Sequence, residues 1–302
     1  MNGDKIKGSV LALAMGDALG AEFEGGVFEK AVWKVLGTSN KKCRWTDDTQ
    51  MSIDIIESLI ACGEVNQDDM AKRFADSYEW SRGYGPGAAR ILKLIKAGVS
   101  WREANRQVFK DGSFGNGAAM RAGPIGLYFA NRSEENIVTA ARRTAEITHA
   151  HPLGMEGAVI IALATAKAAT DASNGEIVGV LMDTVKEPPF QQKVSLAETW
   201  LNEDSAIDVL KTRSMLGNGI AAQDSVVTAI YTAMSHRERP FEELLLYVRN
   251  LGGDVDTIGA MAGAIWGAAR GAEALPDTLI HQVEQHEYLD DLSRRFVAVC
   301  LS

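Results

Sequence analysis

Apolar positions along the chain recur mostly every three or four residues, the spacing of a helix that buries one face. Met51, Ile55, Ile56, Leu59 and Ile60 fall on one such face, and Ile91, Leu92 and Ile95 on another. Further helical patterns run over residues 68–80, 133–148, 153–172, 190–210, 219–235, 240–250 and 277–300. Alternation with period two, the mark of a half-buried strand, is scarce. The pattern predicts an all-α fold. No fixed-period repeat, low-complexity tract or Ser/Gly-rich linker divides the sequence, so one domain over residues 1–302 is expected.

Glycine changes this picture, because 29 glycines is a high count for a helical chain and each interior one costs about 1 kcal/mol relative to alanine. Their spacing supplies a reason. Gly259, Gly263, Gly267 and Gly271 recur every four residues, as do Gly8, Ala12, Gly16 and Gly20, so each helix carries a stripe almost free of side chains. Such stripes let helix axes approach closely, and they predict that these two helices lie at the centre, packed against each other. The first helix, within "MNGDKIKGSVLALAMGDALG", has two lysines and an apolar run. Asp17 interrupts that run and no small-residue cleavage pattern follows, so the segment reads as a mature helix. The longest apolar stretch, Ile258 to Ala269, has about twelve residues against the roughly twenty that span a bilayer, so no membrane association is expected.

With 46% hydrophobic residues the chain can bury a large core. Cys43, Cys62 and Cys300 are odd in number and far apart, which argues against a disulfide framework and for a reducing, cytoplasmic setting. A net charge of −9 disfavours nucleic acid and anionic lipid as partners. Any phosphate-bearing ligand must then be held locally, by backbone N–H groups, a few arginines or metal ions.

Two acidic segments offer such a site. "RWTDDTQ" (44–50) places Asp47 and Asp48 side by side after Thr46, ahead of an apolar helix, and "LGGDVDTIG" (251–259) places Asp254, Asp256 and Thr257 ahead of the glycine-striped helix. Either one alone fits a helix cap, since Asp and Thr accept N–H bonds there and the dipole favours negative charge. Together they form two matching sets of hard oxygen donors, which suit Mg²⁺ or Mn²⁺. If the four carboxylates met at about 5 Å, each pair would repel by roughly 3 kcal/mol at an effective dielectric of 20, and only cations would hold them together. An EF-hand loop from Asp254 fails at Ile258 and Ile265. Zinc has only His149 and His151, with no nearby thiolate.

"DGSFGNGAAMRAGP" (111–124) carries Ser113, Gly115, Asn116 and Gly117 ahead of an apolar helix, so several N–H groups could converge on an anion. A dinucleotide-binding reading is weak, because the preceding "WREANRQVF" is helical rather than a strand. Similar glycine-rich elements occur at "RGYGPG" (82–87) and "LGNGIAA" (216–222). Arg82 and Arg121 suit either phosphate contact or salt-bridge and capping roles.

In order, "GDALGAEFE", "TDDTQ", "RGYGPG", "SFGNGAAMR", "THAHPLG", "LGNGIAA" and "GGDVDT" resemble the successive motifs of the ADP-ribosylglycohydrolase family, which includes the dinitrogenase-reductase-activating glycohydrolases and the ADP-ribosyl-acceptor hydrolases of animals. The likeness runs through nearly the whole chain and is weakest over 173–215. It implies an orthogonal helical bundle around a central binuclear site for two Mg²⁺ or Mn²⁺, at which ADP-ribose is cleaved from a modified arginine or serine side chain. By the same likeness Thr46, Asp47, Asp48, Asp254, Asp256 and Thr257 would be metal ligands, with Glu24 the acid beside them and Asp47 and Asp48 sharing the catalytic work. Ser113, Phe114, Gly115, Asn116 and Gly117 would hold the pyrophosphate. Gly85, Met120, His149, Gly217, Asn218, Gly219 and Ile220 would complete the substrate site. Phe114 departs from the tyrosine common in relatives. An ADP-ribosylated protein or an ADP-ribose derivative is the implied partner. Hydrolysis of free O-acetyl-ADP-ribose or of poly(ADP-ribose), and a non-catalytic ADP-ribose-binding role, stand as alternatives.

Overall fold

The computed structural model describes residues 1–23, 38–39, 42–203 and 208–302. Among these the fold is all-α: sixteen helices, a few short 3-10 turns and one two-residue antiparallel pairing of Thr38–Ser39 with Lys42–Cys43. The helices are α1 (Gly3–Gly20), α2 (Asp47–Cys62), α3 (Gln67–Asp76), α4 (Pro86–Lys96), α5 (Trp101–Val108), α6 (Gly123–Tyr128), α7 (Glu134–Glu146) and α8 (Pro152–Ala169). They continue with α9 (Asn174–Thr184), α10 (Pro188–Asn202), α11 (Val209–Met215), α12 (Val226–Ser235), α13 (Phe241–Leu251), α14 (Val255–Arg270), α15 (Asp277–Ile280) and α16 (His286–Cys300).

Helices α1 and α14 form the centre, and the glycine stripes are the seam between them. A Cβ added at Gly16 would land on the carbonyl of Gly259, one at Gly263 on that of Ala12, and one at Gly8 would stand 2.7 Å from the carbonyl oxygen of Gly267. Bare backbone therefore meets bare backbone along the seam, and the Ser9 hydroxyl closes it by donating to the Ala264 carbonyl at 2.7 Å. Gly271 lies just past the helix end, where its φ of 82° and the Asp4 carboxylate both exclude a side chain. At the other end of the seam, a Cβ on Gly20 would sit 2.9 Å from the Cα of Asp256. The same packing that makes the core thus brings the last turn of α1 against the first turn of α14. Helix α8 packs around this pair; it is long and apolar enough to cross a membrane by length and composition, with 78% of it buried inside the fold.

The largest departures from the predicted patterns are three. The 277–300 pattern is two helices, α15 and α16, because Gln285 adopts φ 47° and residues 282–284 turn aside to pair with the chain near Cys43. The 190–210 pattern ends at Asn202, and the 219–235 pattern becomes helical only at Val226, after a turn that the 216–222 glycines shape.

Candidate active site

Helix α2 begins where the first acidic segment predicts. Thr46 is its N-cap, with the Thr46 hydroxyl accepting the Asp48 N–H at 3.3 Å, and Asp47 and Asp48 occupy its first turn. The chain enters this cap through a buried clamp: Glu284 accepts the Trp45 N–H at 3.0 Å and pairs with Arg82, while Arg82 donates to the Trp45 carbonyl at 2.8 Å and lies over the Trp45 ring. Arg82 is therefore committed to an ion pair rather than to an anion in the cleft. A second clamp comes from α1. The Asp17 carboxylate accepts the Thr46 and Thr49 N–H groups at 3.0 Å and the Thr49 hydroxyl at 2.5 Å.

Helix α14 begins in the matching way, with Asp254 at its N-cap and Asp256 and Thr257 in its first turn. Its entry is set by Gly252 and Gly253, both at positive φ, and by Asn218, whose carbonyl accepts the Asp254 N–H at 2.9 Å and whose side chain donates to the Leu251 carbonyl at 2.9 Å. A Cβ on Gly253 would collide with the Asn218 carbonyl, so this turn requires glycine.

The two helix starts face each other. The Thr257 hydroxyl reaches Asp48 Oδ1 at 3.4 Å across 209 residues of sequence. One carboxylate oxygen from each of Asp17, Asp48 and Asp256 lies within 4.8 Å of the others, all three buried. Asp17 was absent from the sequence-derived site: in the sequence it only interrupts an apolar run, and its partners are 29 and 32 residues away.

The electrostatics of the cluster suit a cation. Burial, reinforced by Asp17, Asp47 and Asp254, holds the Asp48 carboxyl well above the ordinary carboxylate range, opposed by the Thr257 hydroxyl. Burial also raises Asp254, against the Asn116 amide that hydrogen-bonds it. Asp17 is pushed up to about 6 by burial, offset by its bonds from Thr49 and Thr46. Asp48 Oδ2 is buried and has no hydrogen-bond partner among the described residues. An orphaned carboxylate oxygen among other carboxylates, in an all-oxygen donor set, fits a hard divalent cation.

A cleft of about 290 Å³ opens above the cluster. Asp47, Asp48, Asp254, Asp256 and Thr257 form its floor, and Gly85, Ser113, Gly115, Asn116, Gly117, Met120, His149 and Ile220 are among its walls. The glycine loop is narrower as an anion cradle than its sequence suggests. The Gly115 N–H already donates to Ser113 Oγ at 3.2 Å and the Asn116 N–H to the Ile220 carbonyl at 3.0 Å. The Asn116 amide is a strut, donating to Ser225 Oγ at 3.0 Å and to Asp254 Oδ2. Ser113 Oγ accepts the Gly115 bond, and Ser113 lines the cleft. Phe114 is 54% exposed and stands edge-on to His151 outside the lining. Gly217, Asn218 and Gly219 build the turn under Asp254 rather than the wall, and Thr46 caps α2 from beneath. Glu24 lies outside the described residues.

The sequence profile of the ADP-ribosylglycohydrolase family matches residues 2–302. The chain belongs to the ADP-ribosylglycohydrolase family. ADP-ribosylhydrolase ARH3 of Mus musculus is 34% identical over 283 residues, spanning 83% of this chain and 76% of the relative, and that of Homo sapiens is 33% identical over 83% and 77%. A solved structure described as an "ADP-ribosylglycohydrolase-related protein complex" superposes with a TM-score of 0.74 at 27% identity, covering 99% of this chain and 98% of the other. Members of the family are metal-dependent and act on ADP-ribosylated substrates. For this ADP-ribosylglycohydrolase the carboxylate cluster is the group of described residues suited to the ion.

Proposed function

We propose that this ADP-ribosylglycohydrolase hydrolyses the glycosidic bond between ADP-ribose and a modified protein side chain, a serine oxygen or an arginine nitrogen, using two Mg²⁺ or Mn²⁺ ions. The observation that carries the reading is the convergence of buried Asp17, Asp48 and Asp256 oxygens within 4.8 Å beneath a cleft of about 290 Å³. Thr46, Asp47, Asp48, Asp254, Asp256 and Thr257 would hold the ions, while Asp17 keeps its bonds to Thr46 and Thr49 and fixes the α2 start. When bound, the ions supply water activation at neutral pH, orientation of ribose hydroxyls and stabilisation of developing charge.

The protein's own groups divide the remaining work. The Ser113 hydroxyl and the Gly117 region of the loop hold the pyrophosphate, and Met120, His149 and Ile220 confine the nucleoside. The reaction adds water across the bond between the anomeric carbon and the side-chain heteroatom: hydroxyl ends on carbon, and a proton on the departing oxygen or nitrogen. Glu24 or a carboxylate of the cluster handles that proton. Intact acidic motifs in both halves favour this over a non-catalytic binding role.

The test is ADP-ribose release from serine-linked and arginine-linked peptides, O-acetyl-ADP-ribose and poly(ADP-ribose), assayed side by side with Mg²⁺, Mn²⁺ or a chelator. Release from a protein linkage should fall at least about a hundredfold on chelation, as the loss of several kcal/mol of charge stabilisation requires. Activity indifferent to chelator would remove the metal from the scheme, and turnover of O-acetyl-ADP-ribose alone would move the substrate away from modified protein.

A further inference from the structure

Arg121 is almost fully buried in the cleft wall, yet none of its nitrogens reaches a carboxylate of the described residues within salt-bridge range. Its guanidinium lies over the Phe74 ring at 4.6 Å, donates to the Gly117 carbonyl at 3.0 Å and to Thr148 Oγ1 at 2.8 Å, and leaves Nε without a partner among the described residues. Burial lowers it to about 10, so it keeps its charge at neutral pH. Holding a cation here is costly, and a purely packing role would be met better by methionine or leucine. What arginine alone adds is a donor that can never accept.

That polarity propagates. Thr148 is fully buried, and its hydroxyl oxygen touches Arg121 Nη2 and His149 Nδ1, the latter at 2.8 Å. Arginine must donate to the oxygen, so the threonine hydrogen has one acceptor within reach among the described residues, Nδ1; the reverse arrangement would strand a buried hydroxyl hydrogen. Burial and the nearby Arg121 charge keep His149 neutral, pushed down to about 3. A neutral imidazole that accepts at Nδ1 carries its single hydrogen on Nε2. This nitrogen lies on the cleft side: a Cβ on Gly117 would sit 3.0 Å from it and one on Gly115 3.4 Å. Both positions are glycine where the loop presses on the ring.

We infer that Arg121 and Thr148 are positioning residues that lock His149 as the Nε2–H tautomer, presenting a fixed hydrogen-bond donor to an acceptor oxygen of the ligand. The site thereby selects phosphate or ribose oxygens and rejects a donor at that point. Only the ligand's identity rests on the function proposed above; the tautomer is a property of the protein alone.

Nitrogen-15 NMR of the imidazole in the ligand-free, wild-type protein should show a protonated Nε2 and a hydrogen-bonded, unprotonated Nδ1 across neutral pH. Protonation at Nδ1 would overturn the inference whatever the enzyme's activity. In T148V the signature should broaden into a tautomer mixture and ADP-ribose should bind about tenfold more weakly, the worth of one buried hydrogen bond, with Tm within a few degrees of wild type. T148S should restore both. A T148V protein with the wild-type tautomer and affinity, or a T148S protein that recovers neither, would show that the chain of donors does not set the ring.

Discussion

Replacing Asp48 with asparagine should lower turnover by at least about a thousandfold while making the chelated protein more stable, not less. The first effect follows from removing one charged donor from the cluster, since about 4 kcal/mol of lost transition-state stabilisation is three powers of ten. The second follows from burial. Asp48 is repelled by Asp17, Asp47 and Asp254, and its carboxyl is held well above the unfolded value. A folded state with raised carboxyl pKa values retains protons that the unfolded state releases, so the stability of the chelated protein declines as pH rises. The decline begins near the ordinary carboxylate value around 4 and continues through about 6, where Asp17 and the buried Asp54 titrate, and the raised Asp48 carboxyl adds to it. D48N removes the Asp48 part of that slope. Its Tm in chelator at pH 8 should exceed that of wild type, and saturating Mg²⁺ should reverse the order, because only the wild-type site gains full ion-linked stability. Wild-type turnover in D48N, or a lower Tm than wild type in chelator, would contradict the assignment.

Gly16→Ala should cost 3 kcal/mol or more and abolish the response of Tm to divalent ions. Its new methyl falls on the Gly259 backbone, and no rotamer change can move a carbonyl out of the way. Overpacking commonly costs about 1–3 kcal/mol, and a backbone clash at the centre of the fold belongs at the top of that range or above, against a typical total of about 5–15. The displacement also acts at a distance, because Asp17 follows Gly16 directly and any widening of the seam draws it from Asp256. Gly179→Ala is the matched control. It lies in α9 with nothing within 4 Å of the new methyl, so it should stabilise by about 0.5–1 kcal/mol and leave ion binding unchanged. Urea denaturation with and without Mg²⁺ measures both. Equal effects of the two substitutions would show that the seam does not govern the core.

The parts of this structure legible in the sequence are those whose cause is local or periodic. A repeat of four small residues means a close helix contact wherever the helix sits, and the stripes through Gly16 and Gly259 do meet. Acidic residues beside threonine ahead of an apolar run mean a helix start, which Thr46 and Asp254 provide. What was not legible depends on partners remote in sequence. Asp17 looks like an interruption until Thr46 and Thr49 are placed beside it. Residues 277–300 keep helical spacing throughout, and the break at Gln285 comes from Gln282 and Glu284 pairing with Cys43 and from Glu284 reaching Arg82. Asn116 has the look of a ligand-binding side chain in a glycine loop, whereas its amide is consumed by Ser225 and Asp254. Gly217 to Gly219 shape the turn beneath Asp254 for the same reason: the backbone bond that defines their role, from Asp254 to Asn218, crosses a gap no periodicity records.

The seam joins the first helix to one near the other end of the chain, with Ser9 bonded to a carbonyl 255 positions later. During translation the early aspartates must therefore wait, uncompensated, until the segment through Thr257 has left the ribosome. Ion capture at the proposed site would then follow synthesis of everything up to Thr257, and an occupied site would certify that α1 and α14 have docked.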